Sequence, residues 1–86
     1  MSTDPALAAL QKALQLDRQG LWREAHELVA DQDGADAAWF HAYLHRKEGD
    51  LGNARYWYAR AGVPPRADSF DAEWQDLAAA LAARPR

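Results

Sequence analysis

Residues 37–48 read Ala37-Ala-Trp39-Phe40-His41-Ala-Tyr43-Leu44-His45-Arg46-Lys47-Glu48. At helical spacing Trp39, Phe40, Tyr43 and Leu44 fall on one side and Ala38 and Ala42 on another, so the segment is apolar around most of its circumference. A helix of that kind is buried against more than one neighbour. The expectation is a central helix, about 37–48, with the rest of the chain packed around it.

The flanking sequence supplies four more helices. Asp4-Pro5 has the form of an N-cap followed by proline at the first helical position. Ala6, Leu7, Leu10, Ala13 and Leu14 then make one stripe over about 5–18. Gly20 is the expected left-handed stop, and Trp22, Ala25, Leu28 and Val29 mark a second helix over about 21–30, closed by the turn Asp31-Gln-Asp-Gly34. Asp36 is expected to cap the central helix. Beyond it, Gly49-Asp50 separates a fourth helix, about 51–61, whose inward arc is Leu51, Ala54, Trp57, Tyr58 and Ala61. Gly62-Val-Pro-Pro65 ends it, because proline cannot continue a helix and disfavours the helical conformation of the residue before it. Asp68 or Ser69 caps a fifth helix, about 70–83, carrying Phe70, Trp74, Leu77, Ala78 and Leu81 on one face until Arg84-Pro85.

Composition agrees with an all-α fold. Of 86 residues twenty are Ala and ten are Leu, whereas the β-branched residues are only Thr3, Val29 and Val63. Strands favour the β-branched residues that are scarce here. The 49% hydrophobic content is enough for one small domain, residues 1–86. With no cysteine there is neither a disulfide framework nor a thiolate metal site. Thirteen acidic residues against ten Lys and Arg, net charge −3, argue against nucleic acid as a partner. No apolar run approaches the roughly 20 residues of a membrane span, and the opening Met-Ser-Thr-Asp-Pro has neither a basic nor an apolar leader region. A cytoplasmic protein without membrane association is expected.

Two segments repeat. Gly20-Leu-Trp22-Arg-Glu-Ala25 and Gly49-Asp-Leu51-Gly-Asn-Ala54 share Gly-x-apolar-x-x-Ala, 29 residues apart, each at a turn between helices. Glycine permits the tight turn and alanine the close approach of the preceding helix, so the chain reads as two antiparallel helical hairpins plus a closing helix. This resembles the tetratricopeptide and Sel1-like repeat superfamily. Ala54, Trp57-Tyr58 and Ala61 are similar to the second helix of a Sel1-type repeat. Ala42, Gly49, Ala54, Tyr58 and Ala61 fall at the small, glycine and aromatic positions of a tetratricopeptide unit. The first repeat departs from the pattern, with Val29 at the aromatic position and Gln32 at the last alanine. The resemblance implies a non-enzymatic scaffold that binds a protein or peptide and needs no cofactor.

Two sets of residues are candidates for a site. Arg46, Lys47, Arg55 and Arg60 cluster on the second hairpin with Tyr43 and Tyr56, and in helical projection Asn53, Tyr56 and Arg60 lie opposite the inward arc of their helix. Tyr43, Arg46, Asn53, Tyr56 and Arg60 are therefore the expected binding surface, suited to an acidic or carboxylate-bearing protein partner. An ordinary solvated face is the alternative. The second set is His41 and His45, four apart on one helix face, with Glu48 a turn further and His26 in the first repeat. They are either hydrogen-bonded core histidines or ligands of a metal whose third ligand is His26 or a carboxylate. His41-Ala-Tyr-Leu-His45 lacks the glutamate of a His-Glu-x-x-His site.

No serine nucleophile motif or glycine-rich phosphate loop occurs, and the acids sit mostly at caps and turns. An interaction or self-assembly module is the first expectation and a small metal- or ligand-binding protein, with or without catalysis, the second. Two repeats are fewer than the roughly three that solenoids need, so the last helix either caps its own chain or contacts a second copy in a homodimer.

Overall fold

The computed structural model describes residues 4–84 and contains, among them, five helices and no strand: α1 Pro5–Arg18, α2 Trp22–Ala30, α3 Ala35–Glu48, α4 Leu51–Ala61 and α5 Phe70–Ala82. Three expected caps are in place. Asp4 accepts from the Ala6 amide at 2.9 Å, Asp50 from Asn53 at 3.2 Å and Ser69 from Ala72 at 3.0 Å. Pro85, the expected stop after α5, lies outside the described residues.

Helices α1, α3 and α4 end alike, on a left-handed glycine: Gly20 at φ 78°, Gly49 at 88° and Gly62 at 75°. After α3, Gly49 N–H donates to Arg46 O and Asp50 N–H to His45 O, which satisfies carbonyls the helix end would leave open. The start of α3 differs from expectation. Gly34 is its N-cap, without a side-chain bond, and the helix begins two residues early. Asp36 is spent otherwise, with both carboxylate oxygens accepting from Arg84 at 2.7 Å.

Helices α1 and α2 form one hairpin, α3 and α4 the other, and α5 lies across α3 and α1. The central position of α3 is as read from its apolar circumference: Ala37, Ala38, Phe40, Ala42, Tyr43 and Leu44 are all buried. The main core joins Leu7, Leu10, Leu14, Val29, Phe40 and Leu44 to Leu77 and Leu81 of α5, so α5 covers its own chain. A smaller cluster of Ala42, Ala54 and Tyr58 lets α3 and α4 approach closely. Two positions assigned to inward faces point outward: Leu51 is 56% exposed, in the first turn of α4, and Phe70 is 43% exposed at the start of α5. Both lie in a first turn, and the Phe70 ring is met by the Arg46 guanidinium of α3, 4.7 Å from its centroid, which leaves its outer face open.

Two carboxylates stand on these apolar stripes. Asp17, buried at the end of α1, accepts from the Tyr43 hydroxyl at 2.6 Å and from Lys47 Nζ at 2.9 Å. Glu73 is fully buried in α5 and accepts from Trp39 Nε1 at 2.9 Å, Arg46 at 2.9 Å and the Tyr58 hydroxyl at 2.7 Å. A buried carboxylate is tolerated only when paired and hydrogen-bonded in this way. Glu73 thereby ties α5 to both helices of the second hairpin.

Candidate metal centre

His41 and His45 stand one turn apart on α3, and their rings stack at 4.8 Å with an interplanar angle of 23°. Opposite them α2 brings His26. Its placement follows from Ala25, whose side chain is fully buried and small enough for α2 to lie close to its neighbours. The His26 and His41 Nε2 atoms are 3.0 Å apart, so one donates and the other accepts. One nitrogen from each of the three rings lies within 4.8 Å of the other two. His41 and His45 are buried and His26 is half-buried.

Each ring is held by a neighbour. The Trp22 indole stacks on His26 at 4.8 Å and 9°, and is itself fixed by donating Nε1–H to Leu44 O at 2.8 Å. Trp57 of α4 stacks on His41 at 4.0 Å and 17°. His45 Nδ1 meets Glu48 Oε1 at 2.6 Å, and Asn53 Nδ2 lies 3.3 Å from its Nε2. Glu48 can only accept and the Asn53 amide N–H only donate. The consistent tautomer therefore carries the proton on Nδ1 and the lone pair on Nε2.

Burial, then the proximity of His26 and His45, pushes His41 down to about 4. His26 is lowered too, by burial and by His45, with Glu48 and Glu27 opposing. Desolvation disfavours the charged imidazolium, and two rings lowered in this way are neutral at neutral pH.

The three imidazoles form a group that could hold a metal ion. Three nitrogens on a tetrahedral ion with bonds of about 2.0–2.1 Å lie roughly 3.3 Å apart. The His26–His41 pair is already near that separation, whereas the three ring atoms lie within 4.8 Å of one another and His45 Nε2 accepts from Asn53, so an ion would require the rings to draw together and the Asn53 amide to turn away. The His45–Glu48 contact is the carboxylate–histidine arrangement that orients a ligand ring and raises its basicity.

The expected binding surface is only partly on the surface. Tyr43 is 2% exposed, with its hydroxyl turned to Asp17, and the Arg46 side chain is 9% exposed against Glu73. Burial together with the adjacent carboxylate raises the Tyr43 phenol, and Tyr58 likewise beside Glu73. Both Tyr43 and Arg46 leave the proposed surface, because the carboxylates of α1 and α5 draw them inward. Asn53 is half-buried beside His45. Tyr56, 54% exposed, and Arg60 remain outside, where Arg60 donates to the Tyr56 hydroxyl at 3.3 Å.

Of the second set, His26, His41, His45 and Glu48 do come together. His41 meets α4 through Trp57, with ring centroids 4.0 Å apart, and α2 through His26, with centroids 4.8 Å apart. Trp22, Trp57 and Asn53 as walls of the cluster were not singled out in the sequence, since helical periodicity does not report which neighbour a ring meets. Asp17 and Glu73 had a legible signal: each is an acid on an otherwise apolar stripe, after Leu10, Ala13 and Leu14 in α1 and between Phe70 and Leu77 in α5.

No protein-family model matches this chain, and neither does a curated protein or a solved structure. No described helix is long and apolar enough to cross a membrane.

Proposed function

We propose that the chain is a small metal-binding protein whose centre is His26, His41 and His45, with Glu48 orienting His45. The observation that carries this is the convergence of one nitrogen from each of three rings, drawn from two separate helices, to within 4.8 Å. Hydrogen-bonded core histidines do not require three rings to share one point. Imidazole sets suit zinc, copper, nickel or iron in the divalent state, and absence of thiolates removes the softest options. Three ligands leave a coordination position open, the pattern of sites that act on a bound molecule rather than of closed structural ones.

The test is metal titration of the chelator-treated protein, by calorimetry and elemental analysis. One equivalent of zinc or cobalt per chain is expected, lost in His41→Ala and in His26→Ala. At a hundredfold excess over Kd the stabilisation is about 2.7 kcal/mol. At about 4–8 °C per kcal/mol that raises Tm by more than 10 °C. Substoichiometric metal with an unchanged Tm refutes the proposal.

A second reading, a protein-binding module of tetratricopeptide or Sel1-like type, draws on the exposed Tyr56 beside Arg60 on the outer side of α4. It is tested by affinity capture from the native cell with Tyr56→Ala/Arg60→Ala. An unchanged set of partners excludes that surface. Sedimentation over a dilution series distinguishes a partner protein from a second copy.

A further inference from the structure

Unpaired charge of opposite sign gathers on two separate faces of the molecule. Between α1 and α2 runs a groove of about 390 Å³ lined by Lys12, Leu16, Glu24, Glu27, Leu28 and Asp31. Leu16 and Leu28 are half-buried against the core and make its apolar lining. Glu24, Glu27 and Asp31 are exposed. Among the described residues none of the three forms an ion pair, whereas Asp36, Asp71 and Asp76 each do. Three carboxylates against Lys12 leave the groove acidic.

The outer face of α4 is its counterpart. Gly52, Arg55, Tyr56, Ala59 and Arg60 share that face at helical spacing, and all five are exposed. Gly52 and Ala59 stand a turn to either side of Tyr56, so its ring projects from a low surface, and Arg60 donates to its hydroxyl at 3.3 Å. Neither Arg55 nor Arg60 forms an ion pair among the described residues, and no residue of α4 is acidic. Arg23 is unpaired as well, but it stands beside Glu24 on α2, which offsets it. A tyrosine between two free arginines has the composition of an interface anchor. The two faces are on different sides of the chain, because His41 of α3 lies between His26 of α2 and Trp57 of α4, and the groove is on the side of α2 that meets α1. One copy cannot bring them together.

We propose that the chain associates head to tail with a second copy of itself, the outer face of α4 of one copy seated in the α1–α2 groove of the next. Tyr56 enters the groove against Leu16 and Leu28, while Arg55 and Arg60 meet Glu24, Glu27 and Asp31 with the fork geometry that suits carboxylates. The inference rests on the protein-binding reading, for which it names the occupant, and does not involve the histidine centre. A net charge of −3 opposes the approach of two copies in orientations that do not match these patches. Since the two surfaces differ, the interface is heterologous, and every added copy leaves one groove and one α4 face free. Assembly then grows with concentration instead of stopping at a dimer.

The test is sedimentation of the full chain over a dilution series, with chelator present so that no metal bridges copies. At low salt the average mass is expected to rise past that of a dimer, and to return to the monomer at about 1 M salt, where the Debye length is about 3 Å. Arg55→Gln/Arg60→Gln and Glu27→Gln/Asp31→Asn, all changes at exposed positions, should each weaken association about tenfold or more, the scale of one charge-assisted hydrogen bond. An equimolar mixture of the two variants should form a one-to-one complex that neither forms alone, because one supplies an intact groove and the other an intact α4 face. A wild-type chain that stays monomeric throughout refutes the second copy, and the protein-binding reading then stands or falls on affinity capture with Tyr56→Ala/Arg60→Ala. Association that ignores either pair of substitutions, or a mixture that stays monomeric, overturns the pairing of these two faces. A mass that levels off at the dimer overturns the head-to-tail geometry.

Discussion

Replacing Glu73 by alanine should be among the most damaging single changes in this protein. Glu73 has no exposed surface and accepts from Trp39, Arg46 and Tyr58 at 2.7–2.9 Å. Its removal leaves the Arg46 guanidinium, on a side chain 9% exposed, without its counter-charge, and strands the Trp39 N–H and Tyr58 hydroxyl. Breaking a buried pair from one side costs about 3–5 kcal/mol, chiefly because the remaining charge stays buried and uncompensated. The whole domain, at about 0.05–0.15 kcal/mol per residue, holds on the order of 4–13 kcal/mol. At about 4–8 °C per kcal/mol, Tm should fall by roughly 12 °C or more. Arg46 keeps its bond to the Asp68 carbonyl, which places the expected loss at the lower end of the range. Urea unfolding followed by far-UV circular dichroism and tryptophan fluorescence measures it, Trp39 being a direct reporter. Glu73→Gln, which loses the charge and keeps the volume, should fall between wild type and Glu73→Ala. The double variant Glu73→Leu/Arg46→Met should recover only the part of the loss due to the unpaired charge, because the Trp39 N–H and Tyr58 hydroxyl still lack their acceptor. A loss below about 1 kcal/mol for Glu73→Ala, the scale of a solvent-exposed pair, would refute the account of a buried network tying α5 to the second hairpin.

In the metal-free protein, stability should decline as pH falls from about 6.5 towards 4. His41 is held at about 4 against an ordinary 6.5, so within that window the unfolded chain binds a proton the folded one refuses. The loss is on the order of 2–3 kcal/mol and complete near pH 4. His41→Gln should flatten the slope between pH 6.5 and 5, and an unaltered slope in chemical denaturation would refute this. Gly49→Ala should cost about 1–2 kcal/mol by thermal unfolding, purely from the left-handed backbone, because φ is 88° and a Cβ there would meet nothing within 4 Å. Tyr43→Phe should cost about 1–2 kcal/mol, since Asp17 would retain only Lys47. Equal stability of that variant in urea would remove the Tyr43–Asp17 bond as a structural element.

How much of the candidate site was legible depended on the range of the contacts involved. The spacing of His41 and His45 on one helix face, with Glu48 a turn on, required no knowledge beyond the helical period. That His26 joins them depends on how close α2 lies to α3 and on the ring rotations imposed by Trp22 and Trp57. Apart from the Trp22–His26 stack within α2, those are contacts between residues fifteen or more apart in the chain, such as His26–His41. Asn53 was placed in solvent by projection alone, yet its position in the first turn of α4 brings it back towards His45. The surface drawn around Tyr43 and Arg46 failed for the same kind of reason. Polar side chains near the edge of an apolar face go outward or inward according to whether a counter-group waits inside.

The amino-acid sequence by itself determined the five helices and where most of them end. Capping oxygens, left-handed glycines, prolines and apolar periodicity act over a few residues, and their energies do not depend on the rest of the fold. It also determined that residues 37–48 form the central helix, because a segment apolar on most sides has to be covered on most sides. Only the tertiary structure decided which polar groups meet. It sends Tyr43 to Asp17, gathers Trp39, Arg46 and Tyr58 on Glu73, and directs three imidazoles to one point. Those choices follow from the angles and distances between helices, which are properties of the packed core as a whole.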